Sequence, residues 1–272
     1  MKRFILFAMA ALAMLTVSAC GGEGDSDIEG TWMMRGDGYH YFNATFNANG
    51  TYEWKWMGAG GIRIDAGDYT YVNGVIKMTP KSYKEEDGDG KLISVSAEIF
   101  GWNGPRTVTV SPLMKGATLW EWEGDWMMQS SAQAFGGPVI MMREDFEQNI
   151  KSNDLDGTWE YYYDGKLDTR VVIKGKNYTF YNVFEIDGKL AVSKEVGTWS
   201  HKGVMLTLTP TSLQYSYEYN KGVYTTYTVD PTTLESETWI SAQYGLEPMS
   251  LAVCLFDGKL YTTWQGVYKR TK

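Results

Sequence analysis

Ile28-Glu29-Gly30-Thr31-Trp32 returns later in the chain as Leu155-Asp156-Gly157-Thr158-Trp159, 127 positions on (157 minus 30). Each copy is an apolar residue, an acid and then Gly-Thr-Trp. Other pairs keep nearly the same offset. Gly67-Asp68-Tyr69 matches Gly197-Thr198-Trp199, and Gly74-Val75-Ile76-Lys77-Met78-Thr79-Pro80 matches Gly203-Val204-Met205-Leu206-Thr207-Leu208-Thr209-Pro210. The far ends agree best: Trp32 to Arg143 is 111 positions, and so is Trp159 to Arg270. A period this long marks duplicated domains rather than solenoid or propeller units, which repeat every ~20–50 residues.

Working outward from the repeat, alternation of apolar and polar residues dominates, and no sustained helical stripe appears. In Thr51-Tyr52-Glu53-Trp54-Lys55-Trp56 the aromatics share one face. Tight-turn pairs punctuate the chain at Asn73-Gly74, Asp164-Gly165, Asp187-Gly188, Lys221-Gly222 and Asp257-Gly258. Ile93, Val95, Ala97 and Ile99 alternate and predict one more strand. About eight short strands per repeat follow, and a meander of that size rids itself of exposed edges by closing into a barrel. The expected class is all-β: two consecutive eight-stranded antiparallel up-and-down barrels. Their spans are 28–143 and 155–272, joined by a short polar linker at 144–154 with room for one helical turn.

Residues 1–19 read as a leader: a basic Met1-Lys2-Arg3, an apolar run too short to span a bilayer, then small residues before Cys20. Val17-Ser18-Ala19-Cys20 resembles the lipobox of bacterial lipoproteins. That resemblance implies cleavage before Cys20, lipidation of that cysteine (diacylglycerol on its thiol and a palmitate-type acyl chain on its amino group) and stable anchoring. Gly21 is not the Asp that retains such proteins at the inner membrane. The implied address is therefore the outer membrane of a Gram-negative envelope, on its periplasmic side or at the cell surface. Residues 20–27 form an acidic tether. Cys254, the only other cysteine, lies in the apolar run Leu251-Ala252-Val253-Cys254-Leu255-Phe256 and reads as a buried, inert thiol.

A Gly-x-Trp opening the first strand, a meander, and an Arg on the last strand resemble the lipocalins and smaller bacterial lipocalin-like domains. In that family the Trp plugs the barrel base and the Arg lies across its ring. The resemblance implies that Trp32 pairs with Arg143 and Trp159 with Arg270, Lys269 being the alternative at the second seam. A guanidinium over an indole face is attractive by about 0.5–2 kcal/mol. Each copy is shorter than a typical lipocalin and is followed by no long helical segment.

Chemistry is sparse by comparison. The net charge is −8, with no run of Lys or Arg, which argues against nucleic acid. Two histidines, His40 and His201, sit without a second ligand at metal spacing, so no metal and no cofactor is expected. Asp87-Gly88-Asp89-Gly90 lacks the remaining acids of a calcium loop. Nothing selects a catalytic group, and no enzyme is expected. The remaining candidates are aromatic stripes: Tyr52, Trp54 and Trp56; Trp120 and Trp122; Tyr215, Tyr217 and Tyr219. Facing inward they line a pocket for a small hydrophobic or amphipathic ligand, or simply fill the core. Facing outward they stack on a glycan or a protein partner.

Overall fold

The computed structural model describes residues 28–36, 41–58, 61–100, 104–123, 138–242, 245–263 and 266–271. The leader, the tether with Cys20, and His40 lie outside the described residues. The first half contains β1 (Gly30–Met33), β2 (Tyr41–Phe46), β3 (Thr51–Gly58), β4 (Gly61–Val72), β5 (Val75–Glu86), β6 (Leu92–Ser94), α1 (Ala97–Phe100), β7 (Arg106–Met114), β8 (Ala117–Trp122) and β9 (Val139–Arg143). Neighbouring strands pair antiparallel from β1 to β5, then β5 to β7, β7 to β8, β8 to β9 and β9 back to β1, which closes an eight-stranded barrel. The short β6 hangs on the end of β5.

The second half repeats this plan after α2 (Ser152–Leu155). It contains β10 (Gly157–Tyr163), β11 (Lys166–Lys174), β12 (Asn177–Ile186), β13 (Lys189–Lys202), β14 (Met205–Tyr215), β15 (Tyr217–Asn220), β16 (Val223–Thr226), β17 (Ile240–Ser241), β18 (Met249–Phe256), β19 (Lys259–Thr262) and β20 (Gly266–Thr271). Strands β10 to β14 and β18 to β20 close the second eight-stranded barrel. The β15–β16 hairpin forms a separate two-stranded sheet. The five tight-turn pairs named above have two consecutive positive φ angles, the geometry that matches strand twist in a two-residue hairpin, whereas at Lys174-Gly175, a further turn pair expected from the sequence, only Gly175 has a positive φ.

Each residue of the repeated pentapeptide has a physical task at the barrel base. Arg143 lies 4.8 Å from the Trp32 ring centroid, and Arg270 lies 5.1 Å from that of Trp159. The registers Trp32↔Arg143 and Trp159↔Arg270 put these pairs on the closing seams. The glycine two residues before each Trp makes room. A Cβ on Gly30 would fall 2.6 Å from an Arg143 nitrogen, and one on Gly157 would fall 2.9 Å from Arg270. The apolar first residue is buried, and its carbonyl accepts the indole N–H at 2.8 Å, Ile28 from Trp32 and Leu155 from Trp159.

Two local expectations change. The alternation at Ile93–Ile99 breaks after Ser94, and Ala97–Phe100 turns into α1. Ser96 sits just ahead of it with Glu98 in the first turn, a helix-start signal that the alternation masked. The Tyr215, Tyr217 and Tyr219 stripe is not one strand. Tyr215 ends β14, the chain bends at the buried Ser216, whose Oγ accepts the Val192 N–H at 2.8 Å, and Tyr217 begins the separate hairpin.

Segment 144–154 is seated rather than free. Phe146 and Ile150 are buried, and the Gln148 side chain clamps Leu255, accepting its N–H at 2.9 Å and donating to its carbonyl at 2.7 Å. The barrels meet over a dry patch built from Leu113, Ala117, Ile140, Met142 and Phe146 on one side and Val204, Ala252, Cys254 and Tyr261 on the other. Cys254 is fully buried there, and burial pushes its thiol up to about 12, so it is inert as expected.

Candidate functional site

The strand registers let the two interiors be compared rung by rung. The rung Trp32–Ala44–Trp54–Asp65–Tyr83 of barrel 1 matches Trp159–Val171–Phe180–Glu195–Leu213 of barrel 2. The rung nearer the base, Phe46–Tyr52–Gly67–Pro80, matches Ile173–Tyr178–Gly197–Pro210. Both glycines sit at a register shift, where a Cβ would run into the carbonyl of Thr79 or Thr209 at 2.0 and 2.3 Å. The rung nearer the mouth, Phe42–Trp56–Arg63–Glu85, matches Thr169–Asn182–Ser193–Tyr215. Across the barrel, Met78↔Arg106 matches Leu208↔Met249, and Trp120↔Val139 matches Thr262↔Gly266.

Barrel 1 is packed with aromatic rings. Tyr52, Trp54, Trp56 and Trp120 all point inward and are buried with Trp32, Phe42 and Phe46, and Trp122 packs against them. Ring centroids 4.4–6.4 Å apart link Phe42 to Trp54 and Trp56, and Trp120 to Trp32, Phe46, Trp54 and Trp122. Inside this packing lies a charged group that sequence reading missed. Arg106 donates to the Asp65 carboxylate and, at 3.0 Å, to the Tyr52 hydroxyl, which itself donates to Asp65 at 2.6 Å. The guanidinium lies 5.9 and 5.8 Å from the Tyr52 and Trp54 ring centroids. Burial raises the Asp65 carboxyl above the usual carboxylate range, opposed by the charge of Arg106 and by both hydrogen bonds.

Barrel 2 keeps a packed floor and carries smaller or polar residues at several positions nearer its mouth. Trp159, Tyr178, Trp199, Leu260 and Tyr268 are buried at the core. Above them the bulky barrel 1 positions become smaller or polar: Phe42 becomes Thr169, Trp56 becomes Asn182, Trp120 becomes Thr262 and Arg106 becomes Met249. Other changes add bulk: Ala44 becomes Val171, and Tyr161, packed against this core, lies 5.8 Å from Tyr268 by centroid. The exposures follow some of the substitutions and not others: Thr169, Ser193 and Thr262 stay buried, as Phe42 and Trp120 are in barrel 1. Trp54, Trp56, Asp65 and Arg106 are all buried, whereas Phe180, Asn182 and Glu195 are partly open and Met249 is 42% exposed. Glu195 accepts a hydrogen bond from Tyr178 at 2.6 Å, and burial raises its carboxyl, opposed by that bond. No Lys or Arg pairs with Glu195 among the described residues.

The rim of this opening carries aromatic rings. Tyr215, Tyr217 and Tyr224 follow one another at 5.2 and 6.0 Å, Phe184 stacks edge-on to Tyr217 at 5.4 Å, and Tyr219 lies 4.7 Å from Tyr224. Tyr163, Tyr219 and Tyr224 are exposed there. Of the three sequence stripes, two thus fill barrel 1 and the third borders the mouth of barrel 2.

Other sequence candidates resolve into local structure. His201 faces the Ile150 carbonyl at 2.8 Å through Nε2. The Asp87 carboxylate accepts the N–H groups of Asp89 and Lys91 in an ordinary turn. No group of three His, Cys, Asp or Glu able to hold a metal occurs among the described residues. No family model, curated protein or solved structure matches the chain.

Proposed function

We propose that this chain is a lipid-anchored cell-envelope binding protein of lipocalin-like design. On this reading barrel 2 holds a small amphipathic molecule, and barrel 1 is a filled scaffold. One observation carries the reading: Trp54, Trp56, Asp65 and Arg106 are buried in barrel 1, whereas their equivalents Phe180, Asn182, Glu195 and Met249 are partly or largely exposed in barrel 2. Interiors of this size hold side chains or one small ligand. The first barrel takes one solution and the second suits the other. The partly exposed polar groups Asn182 and Glu195 give such a ligand orientation, and Phe180 and Tyr161 give it apolar contact.

Binding of N-phenyl-1-naphthylamine, a neutral apolar fluorophore, tests this. The purified protein should enhance its fluorescence saturably. Asn182→Trp, which restores the barrel 1 residue, should cut the affinity by about tenfold or more, the loss expected when a bulky group blocks a fitted pocket. Trp56→Asn should leave the affinity unchanged. No saturable binding, or equal binding by Asn182→Trp, would overturn the assignment to barrel 2. Retention on a glycan matrix that depends on Tyr219 and Tyr224 would instead favour the exposed aromatic rim as the working surface.

The anchor rests on the sequence around Cys20. Cys20→Ala should abolish metabolic labelling with palmitate and move the protein from the membrane to the soluble fraction. A soluble wild-type protein without label would remove the anchor.

A further inference from the structure

Barrel 1 contains a complete receptor for an organic cation together with the cation. The receptor is Tyr52, the Trp54 ring and the Asp65 carboxylate. The cation is the Arg106 guanidinium, held by a charge-assisted contact, a phenol and two ring faces. At the same two rungs barrel 2 retains the receptor: Tyr178, the Phe180 ring and Glu195, with the phenol-to-carboxylate hydrogen bond at 2.6 Å in both barrels. What it loses is the cation. The position of Arg106 is taken by Met249, on the strand that pairs with Leu208 as β7 pairs with Met78.

From this difference we propose that barrel 2 selects a ligand bearing a cationic amine or guanidinium, whose charged head takes the place that Arg106 fills in barrel 1. This rests on the reading of barrel 2 as the ligand-holding domain. A half-buried carboxylate beside aromatic faces is costly to keep without a compensating charge, and a bound cation supplies one. A second unmet group lies further down the same face of β13. The Trp199 indole is 95% buried in the barrel 2 core, and its N–H has no acceptor. A cation with an apolar body fits the carboxylate and the aromatic rings that remain.

A matched set of decyl probes below their micellar concentrations tests this: decylamine, decanol and decanoate, each displacing N-phenyl-1-naphthylamine from the purified protein. Decylamine should bind about tenfold or more tighter than decanol, the gain expected of a charge-assisted hydrogen bond, and decanoate should bind weakest. Glu195→Gln should abolish the preference for the amine while leaving decanol binding unchanged. Met249→Arg should return the built-in cation and exclude decylamine. Equal binding of decylamine and decanol, or a preference that survives Glu195→Gln, would overturn the cation assignment while leaving a binding barrel. Failure of every probe to bind would overturn the binding reading itself.

Discussion

Arg106→Met will destabilise barrel 1 by about 3–5 kcal/mol at pH 7, the cost of leaving a buried carboxylate without its partner. That is a large part of the ~5–15 kcal/mol that holds a typical domain folded. Asp65 is only 1% exposed, so water cannot take over from the guanidinium. The substitution copies what barrel 2 already has at Met249, and the contrast is instructive. Glu195 is half-open, within reach of solvent or a bound cation; Asp65 is sealed and has only Arg106 as its counter-charge. The pH dependence has a definite sign. Burial already raises Asp65, and removing Arg106 raises it further. A carboxyl that binds its proton more tightly when folded makes the protein lose stability as pH rises above the ordinary carboxylate range. Urea unfolding of the variant should therefore show a smaller deficit at pH 4 than at pH 8. Asp65→Leu combined with Arg106→Met should recover most of the loss, because an apolar pair leaves nothing uncompensated. A deficit under about 1 kcal/mol that ignores pH would mean that Asp65 is protonated beside Arg106 and that no buried charge was exposed.

The seams were legible from sequence because they repeat. Gly-Thr-Trp with an Arg at a fixed distance is a set of mutually dependent shapes: the glycine clears the space, the indole receives the cation, and the upstream carbonyl receives the indole N–H. Duplication preserves such sets, so spacing reveals them. The candidate site is legible only by difference. Trp56 against Asn182 and Arg106 against Met249 are visible as equivalents only when the register aligns them, and the inserted β15–β16 hairpin and the 227–239 segment stretch the spacing between them. The Asp65–Arg106 pair is 41 residues apart and carries no local pattern. The Tyr215, Tyr217 and Tyr219 stripe misled for a related reason. Period-two alternation continues unchanged through a bend, because the bend at Ser216 alters direction and not side-chain parity. The contact between barrels did leave a trace. Val139–Met142 and Leu251–Leu255 are apolar on both faces, and a strand apolar on both faces is covered on both faces.

Ala252→Glu will split the thermal unfolding of the protein into two transitions. Ala252 is fully buried on the outer face of β18, between the inward-facing Leu251 and Val253, and belongs to the patch shared with Ile140, Met142 and Phe146. An uncompensated carboxylate placed there costs about 3–5 kcal/mol, charged against the contact between barrels rather than against either interior. The contact has polar clasps as well. Ala252 donates its N–H to the Arg35 carbonyl at 3.3 Å, and the Arg35 side chain donates to the carbonyls of Arg143 at 2.7 Å and Phe146 at 3.0 Å. Gln148 holds Leu255 from the linker side. These groups tie the closing strand of barrel 1, the linker and β18 of barrel 2 into one unit, so the parent should melt in a single cooperative step by calorimetry. In the variant each closed barrel retains its own core and its own Trp–Arg seam, and the two should melt separately. Two transitions already present in the parent would show that the patch does not couple the barrels. A coupled pair matters for the binding proposal. Strand β18 carries Met249 and Leu251 into the barrel 2 interior and Ala252 and Cys254 into the patch, so the wall of the open barrel is braced from outside by the filled one. Loosening that brace should weaken decylamine binding in proportion to the fraction of barrel 2 that has melted, and no further.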